Sequence, residues 1–145
     1  MGNGISIVIA SLLEERKLVK AQMSRDVILK EIEASQTDLR DAHDSLEMDK
    51  FKWATIQGYY SMFHGMRALL FSKGYREKSH YALLLAIRDL LSSELERSLI
   101  NRFEDGMNLR QEADYGLKFS ETGAAETIDG AQKLLARAKE ILKLR

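Results

Sequence analysis

The stretch YYSMFHGMRALLFSKGYREKSH, residues 59–80, places several polar groups among apolar residues that favour a helix. Its apolar positions continue a stripe with helical spacing, which comprises Trp53, Ile56, Tyr60, Phe63 and Leu70. The spacing predicts one helix from about Lys50 to Lys73, and Gly74 suits the left-handed residue that ends a helix. The polar groups of this helix are either a binding site or hydrogen-bonded members of the core.

Similar patterns predict helices on both sides of this stretch. Ser24 is the predicted N-cap of a preceding helix, and Ser79 is the predicted N-cap of the next one. Ser93 and Glu96 have the spacing of a capping box that opens a further helix, and a last helix is predicted from about Thr122. No segment alternates with a period of two, so no strand is predicted. We therefore predict an all-α protein, an up-and-down helical bundle of five to six helices.

Length and composition limit the class of protein. The chain has 145 residues, the size of one domain, and it contains no cysteine, which excludes disulfides and thiolate chemistry. The apolar run Ile5–Leu13 is too short to cross a bilayer as a helix, and no basic segment precedes it. We interpret this run as the start of a helix that is buried or covered by a partner. These features predict a cytoplasmic protein without a membrane partner.

The zero net charge hides an uneven distribution. Residues 50–88 contain seven lysines and arginines but one acidic residue, Glu77, together with eight of the eleven aromatic residues. Basic and aromatic side chains together are typical of a surface that binds nucleotides or single-stranded RNA. The alternative is a buried aromatic helix whose basic residues lie at its solvated ends.

Three polar residues of the central helix share one face. Tyr60 and His64 are four residues apart, and His64 and Arg67 are three apart. A tyrosine that stacks and an arginine that binds oxygen atoms through its planar guanidinium could together hold a base and a phosphate. Arg110 and Asp114 can pair along their own helix or face this edge. In the purely structural alternative, His64 is a core histidine and Asp114 pairs with Arg67 across the bundle.

Several kinds of catalytic site are not indicated. The three histidines, His43, His64 and His80, are too scattered to form a helical metal site, and no carboxylate cluster completes one. The sequence has neither a glycine-rich phosphate loop nor a serine nucleophile motif. We therefore predict no metal and no cofactor.

Three blocks of residues together resemble a known family. They are Tyr59-Tyr60-x-Met62-Phe63-His64-x-x-Arg67-Ala68-Leu69-Leu70, then Lys73-Gly74 with His80, and finally Arg110-x-x-x-Asp114-Tyr115-Gly116. In this order they resemble the HEPN superfamily, the "higher eukaryotes and prokaryotes nucleotide-binding" domain, in particular a small prokaryotic branch. The resemblance implies a HEPN-like bundle over residues 24–145, with residues 1–23 as an N-terminal helical extension.

The same resemblance implies partners and a possible activity. Many members of the superfamily form homodimers and act with a minimal nucleotidyltransferase, in some cases as toxin–antitoxin-like pairs. Others are metal-independent RNases that carry an arginine, four to six intervening residues and a histidine. Here Arg110 matches the arginine, but Tyr115 stands where the shortest spacing would place the histidine, and a phenol is a poor base near pH 7.

The resemblance therefore predicts a polar binding pocket rather than a catalyst that acts on its own. Its predicted ligand-binding residues are Tyr60, His64, Arg67, His80, Arg110, Asp114 and Tyr115, and the predicted ligand is a nucleotide or RNA. Two alternatives remain open at this stage. One is an RNase that uses His64 or His80 with Arg110, and the other is a non-catalytic oligomerisation module.

Overall fold

The long helix predicted around residues 59–80 is the centre of the bundle. The computed structural model describes residues 5–144, and this helix, α3, runs from Phe51 to Ser72 within it. Gly74 follows with a φ of 89°, the left-handed conformation that the sequence predicts for the helix end. Because α3 contacts four other helices, most of its side chains are buried.

Six helices and two short strands make up the described part of the chain. In order they are α1 (Ile7–Glu14), β1 (Leu18–Lys20), α2 (Arg25–Glu47), α3 (Phe51–Ser72), β2 (Tyr75–Glu77), α4 (His80–Leu90), α5 (Arg97–Asp114) and α6 (Glu121–Ile141). Helices α2, α3, α5 and α6 pack as a bundle, and α4 lies against α3 and α5. The prediction of an all-α bundle is confirmed.

Most of the predicted helix ends agree with the structure. The hydroxyls of Ser24 and Ser79 accept hydrogen bonds from the backbone of Val27 and Ala82, as N-caps do. The capping box predicted at Ser93 is wrong, because α5 begins at Arg97 after a turn and has no side-chain cap. The carboxylate of Glu96 instead accepts a hydrogen bond from Arg137 on α6.

The N-terminal residues add a strand that the sequence analysis did not predict. Strand β1 pairs antiparallel with β2, with Leu18 opposite Glu77. Each strand has three residues, which is too short for an alternating pattern to be recognised in the sequence. The strands are therefore recognised only from their pairing in the structure. Leu18, together with Ile9 and Leu12 of α1, belongs to the main hydrophobic core.

The apolar run at Ile5–Leu13 forms most of α1 but is only partly buried. Ile9 and Leu12 face the core, whereas the side chain of Ile7 is 89% exposed. The hydroxyl of Ser6 caps α1 and also donates to Asp89 on α4, which fixes the helix against the bundle. The boundary at residue 23 between extension and bundle stays a prediction.

Candidate functional site

Three helices bring an arginine, a histidine and several aromatic rings together at one side of α3. Tyr59, Tyr60 and Phe63 come from the middle of α3, His80 is the first residue of α4, and Arg110 lies in the last turns of α5. His80 is placed there because β2 and the Ser79 cap end just before it. Together with Asp114 and Tyr115 at the end of α5, these residues are called the arginine–tyrosine cluster below.

Arg110 is enclosed mainly by aromatic rings. Its Nη2 donates a hydrogen bond of 2.7 Å to the hydroxyl of Tyr60. Its Cζ lies 5.7, 5.3 and 5.8 Å from the ring centroids of Tyr59, Tyr60 and Tyr115, within the range of cation–π attraction. The carboxylate of Asp114 lies 4.0 Å from Nε, and Nε is buried without a hydrogen-bond partner. The positive charge of Arg110 is therefore weakly compensated.

His80 lies in the same cluster as a neutral imidazole. Its Nδ1 is 2.5 Å from the hydroxyl of Tyr59, and its ring stacks on Phe63 with centroids 4.3 Å apart. Burial lowers the pKa of His80 below its usual 6.5, and the positive charges of Arg110 and Arg67 lower it further. Burial also raises the pKa of Tyr59 well above its usual 10.0. Both groups are therefore uncharged near neutral pH.

A second polar group lies around Arg67 and contains mostly acids. Arg67 Nη1 is 3.3 Å from Glu31, and its Nε is 2.8 Å from Glu77, an ion pair without hydrogen-bond geometry at that nitrogen. His64 Nδ1 is 2.9 Å from Glu31, and its Nε2 is 3.7 Å from Asp38. This group is called the carboxylate cluster below.

The carboxylates of this second group are shielded from water. The side chain of Glu77 is 6% exposed, and one of its carboxylate oxygens has no partner. Burial raises the pKa of Glu77, although Arg67 opposes the shift. Burial also raises the pKa of Asp38, against the effect of His64. With three carboxylates around one arginine and one histidine, this cluster has no excess positive charge for an anionic ligand.

The structure thus divides the seven predicted site residues into two groups. Tyr60, His80, Arg110, Asp114 and Tyr115 come together in the arginine–tyrosine cluster, whereas His64 and Arg67 belong to the carboxylate cluster. Phe63 of the arginine–tyrosine cluster also borders the carboxylate cluster, since His80 stacks on its ring and Arg67 Cζ is 5.4 Å from its centroid.

The alternative in which Asp114 pairs with Arg67 across the bundle is wrong. Glu31 and Glu77 occupy the two sides of the Arg67 guanidinium, and Asp114 lies beside Arg110 on its own helix. No local sequence pattern indicates which acidic residue, distant in the chain, pairs with Arg67. The alternative therefore assigned the partner to α5, whereas the partners lie on α2 and β2.

Sequence reasoning did not select Tyr59, Glu31 or Glu77 as members of these groups. For Glu31 a signal was present, because Glu31 and Asp38 are seven residues apart and therefore share one face of α2. For Glu77 the signal was weaker, since its position depends on the β1–β2 pairing. Tyr59 is four residues from Phe63, but only the fold shows that its hydroxyl meets His80.

Within 5–144, no three histidine, aspartate or glutamate side chains are grouped as metal ligands would be. None of the helices in this part of the chain combines the length and the apolar content needed to span a bilayer.

The fold and the cluster define a class of protein, an α-helical bundle with an arginine-centred polar site between its helices. A family model described as the HEPN domain matches residues 30–144, which is most of the chain. The chain therefore belongs to the HEPN domain family, and the resemblance identified in the sequence is confirmed.

Curated relatives from archaea agree with this assignment. The chain is 29% identical over 101 residues to "Putative toxin MJ0142" of Methanocaldococcus jannaschii, covering 68% of each chain. It is 28% identical over 134 residues to "Putative toxin MJ0605" of the same organism, covering 86% of this chain and 98% of the relative. It is also 29% identical over 107 residues to a "UPF0332 protein" of Archaeoglobus fulgidus, covering 70% and 83%.

A solved structure supports the fold. The crystal structure of TT1696 from Thermus thermophilus superposes with a TM-score of 0.67 at 20% identity, covering 78% of this chain and 96% of that one. At this level of identity the similarity concerns the arrangement of the helices.

Proposed function

We propose that the chain is a nucleotide- or RNA-binding HEPN domain that acts with a nucleotidyltransferase partner in a toxin–antitoxin-like pair. The ligand site is the arginine–tyrosine cluster, and the protein works as a homodimer. The names of the two Methanocaldococcus relatives support the toxin-like part of the proposal. The nucleotidyltransferase partner and the homodimer follow from the family.

One observation carries the ligand part of the proposal. The Arg110 side chain is 14% exposed, it lies among three tyrosine rings, and its nearest acid is 4.0 Å away at the edge of the cluster. A cation removed from water without a close counter-charge is costly, and an anionic ligand would offset that cost. A phosphate is suitable because guanidinium binds it through two parallel hydrogen bonds.

The rings around Arg110 complete the match to a nucleotide. The side chain of Tyr115 is 75% exposed and borders the guanidinium, so a base could stack on it while the phosphate contacts Arg110. RNA cleavage by the usual route of the family is not part of the proposal, because Tyr115 occupies the place of the motif histidine.

Ligand binding can be tested with the purified full chain and two variants of α5. A fluorescent single-stranded oligoribonucleotide, ATP and AMP would be titrated against the wild type, Arg110→Ala and Arg97→Ala. The control removes the same charge from the same helix at an exposed position thirteen residues away, roughly 20 Å along the axis. The Arg97 side chain has no acid within ion-pair distance among residues 5–144.

The expected result is tight binding by the wild type and by Arg97→Ala. Arg110→Ala should bind about ten- to a hundredfold more weakly, the range for a lost hydrogen bond to a charged group. Equal binding by all three proteins would place the ligand elsewhere, and no binding by the wild type would refute the nucleotide or RNA site. RNA cleavage by the wild type that disappears in His80→Ala would instead support the RNase alternative.

The partner part of the proposal needs a separate experiment. The genes next to this one would be read for a minimal nucleotidyltransferase, and the two proteins would be co-expressed with a tag on one of them. Stable co-purification, and relief by the partner of any growth arrest that this chain causes, would support the pair. The absence of both effects would contradict it.

A further inference from the structure

The contact between Tyr59 and His80 indicates which ring nitrogen of His80 carries the hydrogen. The phenol hydroxyl of Tyr59 lies 2.5 Å from His80 Nδ1, and this is its hydrogen bond within residues 5–144. The side chain of Tyr59 is fully buried, with its ring stacked on Phe103 at a centroid distance of 5.6 Å. Water therefore cannot replace His80 as the partner of the Tyr59 hydroxyl.

The direction of this hydrogen bond follows from the burial of Tyr59. If His80 donated from Nδ1, the phenol hydrogen would be left in the core without an acceptor, at a cost of about 1–3 kcal/mol. If Tyr59 donates, both groups are satisfied. Tyr59 is therefore the donor, and Nδ1 of His80 carries no hydrogen.

The other ring nitrogen then becomes a fixed donor. A neutral imidazole without a hydrogen on Nδ1 carries it on Nε2. Within the described residues Nε2 makes no hydrogen bond, and it is absent from the buried atoms that lack a partner, which are Arg67 Nε, Glu77 Oε1 and Arg110 Nε. It is therefore accessible to solvent or to a ligand.

His80 and Arg110 approach the same ring. The imidazole centroid of His80 is 6.0 Å from that of Tyr60, and Arg110 Cζ is 5.3 Å from the same ring centroid. The guanidinium of Arg110 and the free Nε2–H of His80 are therefore two donors near one aromatic ring. An oxygen that can only accept, as in a phosphate diester, matches both.

We propose that Tyr59 is a positioning residue that fixes His80 as a neutral Nε2–H donor, which together with Arg110 binds a phosphate oxygen. The second half of this statement rests on the proposed function, whereas the first half does not. A consequence is that His80 is no general base in this state. Its Nδ1 lone pair accepts from Tyr59, and its Nε2 already carries a hydrogen.

The proton position can be measured without any ligand. The full chain would be labelled with ¹⁵N in its histidine rings, and two-bond ¹H–¹⁵N correlation spectra would be recorded near pH 7.5. His80→Gln identifies the signals of His80 among the three histidines. The expected spectrum of His80 has a pyridine-type Nδ1 and a pyrrole-type Nε2, and the reverse pattern would overturn the proposal.

The role of Tyr59 is tested with a pair of matched variants. In Tyr59→Phe the hydrogen bond to Nδ1 is lost, and the ¹⁵N resonance of Nδ1 should shift toward that of a pyridine-type nitrogen that accepts no hydrogen bond. Tyr81→Phe removes the hydroxyl of an exposed tyrosine outside the cluster and should leave the tautomer of His80 unchanged. An unchanged spectrum in Tyr59→Phe would show that Tyr59 does not fix the proton. If that variant fails to fold, the wild-type spectrum still decides the direction of the hydrogen bond.

The proposed binding of a phosphate oxygen by His80 is tested by titration with the same fluorescent oligoribonucleotide. Loss of one hydrogen bond from a neutral donor to a charged phosphate oxygen should weaken binding about tenfold in His80→Ala. His80→Gln, whose amide can present N–H near the position of Nε2, should retain more of the affinity. If His80→Ala binds the oligoribonucleotide as tightly as the wild type does, His80 does not bind the phosphate and this part of the proposal is overturned. A wild type that binds neither the oligoribonucleotide nor ATP or AMP would refute the proposed function, while the imidazole spectra would still test the assignment of the proton.

Discussion

Two arginines on neighbouring helices are buried to a similar extent but have opposite surroundings. The side chain of Arg67 is 18% exposed and lies within 3.3 Å of two carboxylates, from Glu31 and Glu77. The side chain of Arg110 is 14% exposed, and its one acid within ion-pair distance in residues 5–144 is Asp114 at 4.0 Å. The difference lies in what compensates the charge, rather than in how deep it is buried.

This difference assigns the two arginines to different roles. Arg67 joins α2, α3 and β2 through Glu31 and Glu77, so its charge is used within the fold. Arg110 is held in position by a neutral hydroxyl and by rings, which orient the guanidinium without cancelling its charge. The charge of a buried cation with acidic neighbours is compensated within the fold, whereas that of a cation with aromatic neighbours remains available to an anion.

The largest effect is expected from Arg67→Ala. The change leaves Glu77, which is 6% exposed, and Glu31 without their positive partner, and breaking a buried ion pair costs about 3 kcal/mol or more. The free energy of unfolding from urea titrations measures this loss. Ligand affinity of the folded fraction should change little.

A matched control separates this effect from a general loss of charge. Arg88 pairs with Glu104 on the surface, where both side chains are 39% exposed, so Arg88→Ala should cost less than about 1 kcal/mol. The double variant Arg67→Met with Glu77→Gln should recover part of the stability, because it removes both buried charges. If Arg67→Ala proves as mild as Arg88→Ala, the carboxylate cluster does not stabilise the fold.

A smaller loss of stability is expected from Arg110→Ala. The variant loses the hydrogen bond to Tyr60 and the contacts with the tyrosine rings but leaves no buried carboxylate behind. The expected cost is about 1 kcal/mol, measured in the same urea titrations. A loss as large as that of Arg67→Ala would make Arg110 a structural residue and remove the contrast between the two clusters.

The fold could be predicted from the sequence because its signals are local. The apolar stripe of α3, the serine caps of α2 and α4, and Gly74 each act within a few residues of the element that they define. The β1–β2 pairing was missed since it joins residues more than fifty positions apart in the chain. Trp53 was assigned to the apolar stripe of α3 but is 50% exposed, with the ammonium of Lys52 4.9 Å from its ring centroid.

The site could be predicted only in part, for a related reason. Helical spacing places Tyr60, His64 and Arg67 on one face, but it does not show what packs against each of them. Phe63 divides that face, so Tyr60 meets Arg110 while Arg67 meets the carboxylates of α2 and β2. Which acid reaches which arginine depends on the packing of helices that are distant in sequence.

The smallest expected effect concerns the protonation of His80. Its pKa in the folded protein is below the usual 6.5, so between these two values the unfolded chain binds a proton that the folded one does not. The free energy of unfolding should therefore fall as the pH drops from about 6.5 toward the lowered pKa. The effect on stability should be smaller than that of either arginine substitution, because His80 is partly exposed and solvent screens the charges that act on it.

Two comparisons isolate this contribution and relate it to the arginines. Glu77 and Asp38, whose pKa values are raised, act in the opposite direction at lower pH, so the difference between the wild type and His80→Gln is the relevant quantity.

Arg110 lowers the pKa of His80 more than Arg67 does. Arg110→Gln should therefore raise the pKa of His80, followed by NMR titration, toward 6.5. A pKa that does not move would mean that the charge of Arg110 does not act on the imidazole, and that the two do not form one site.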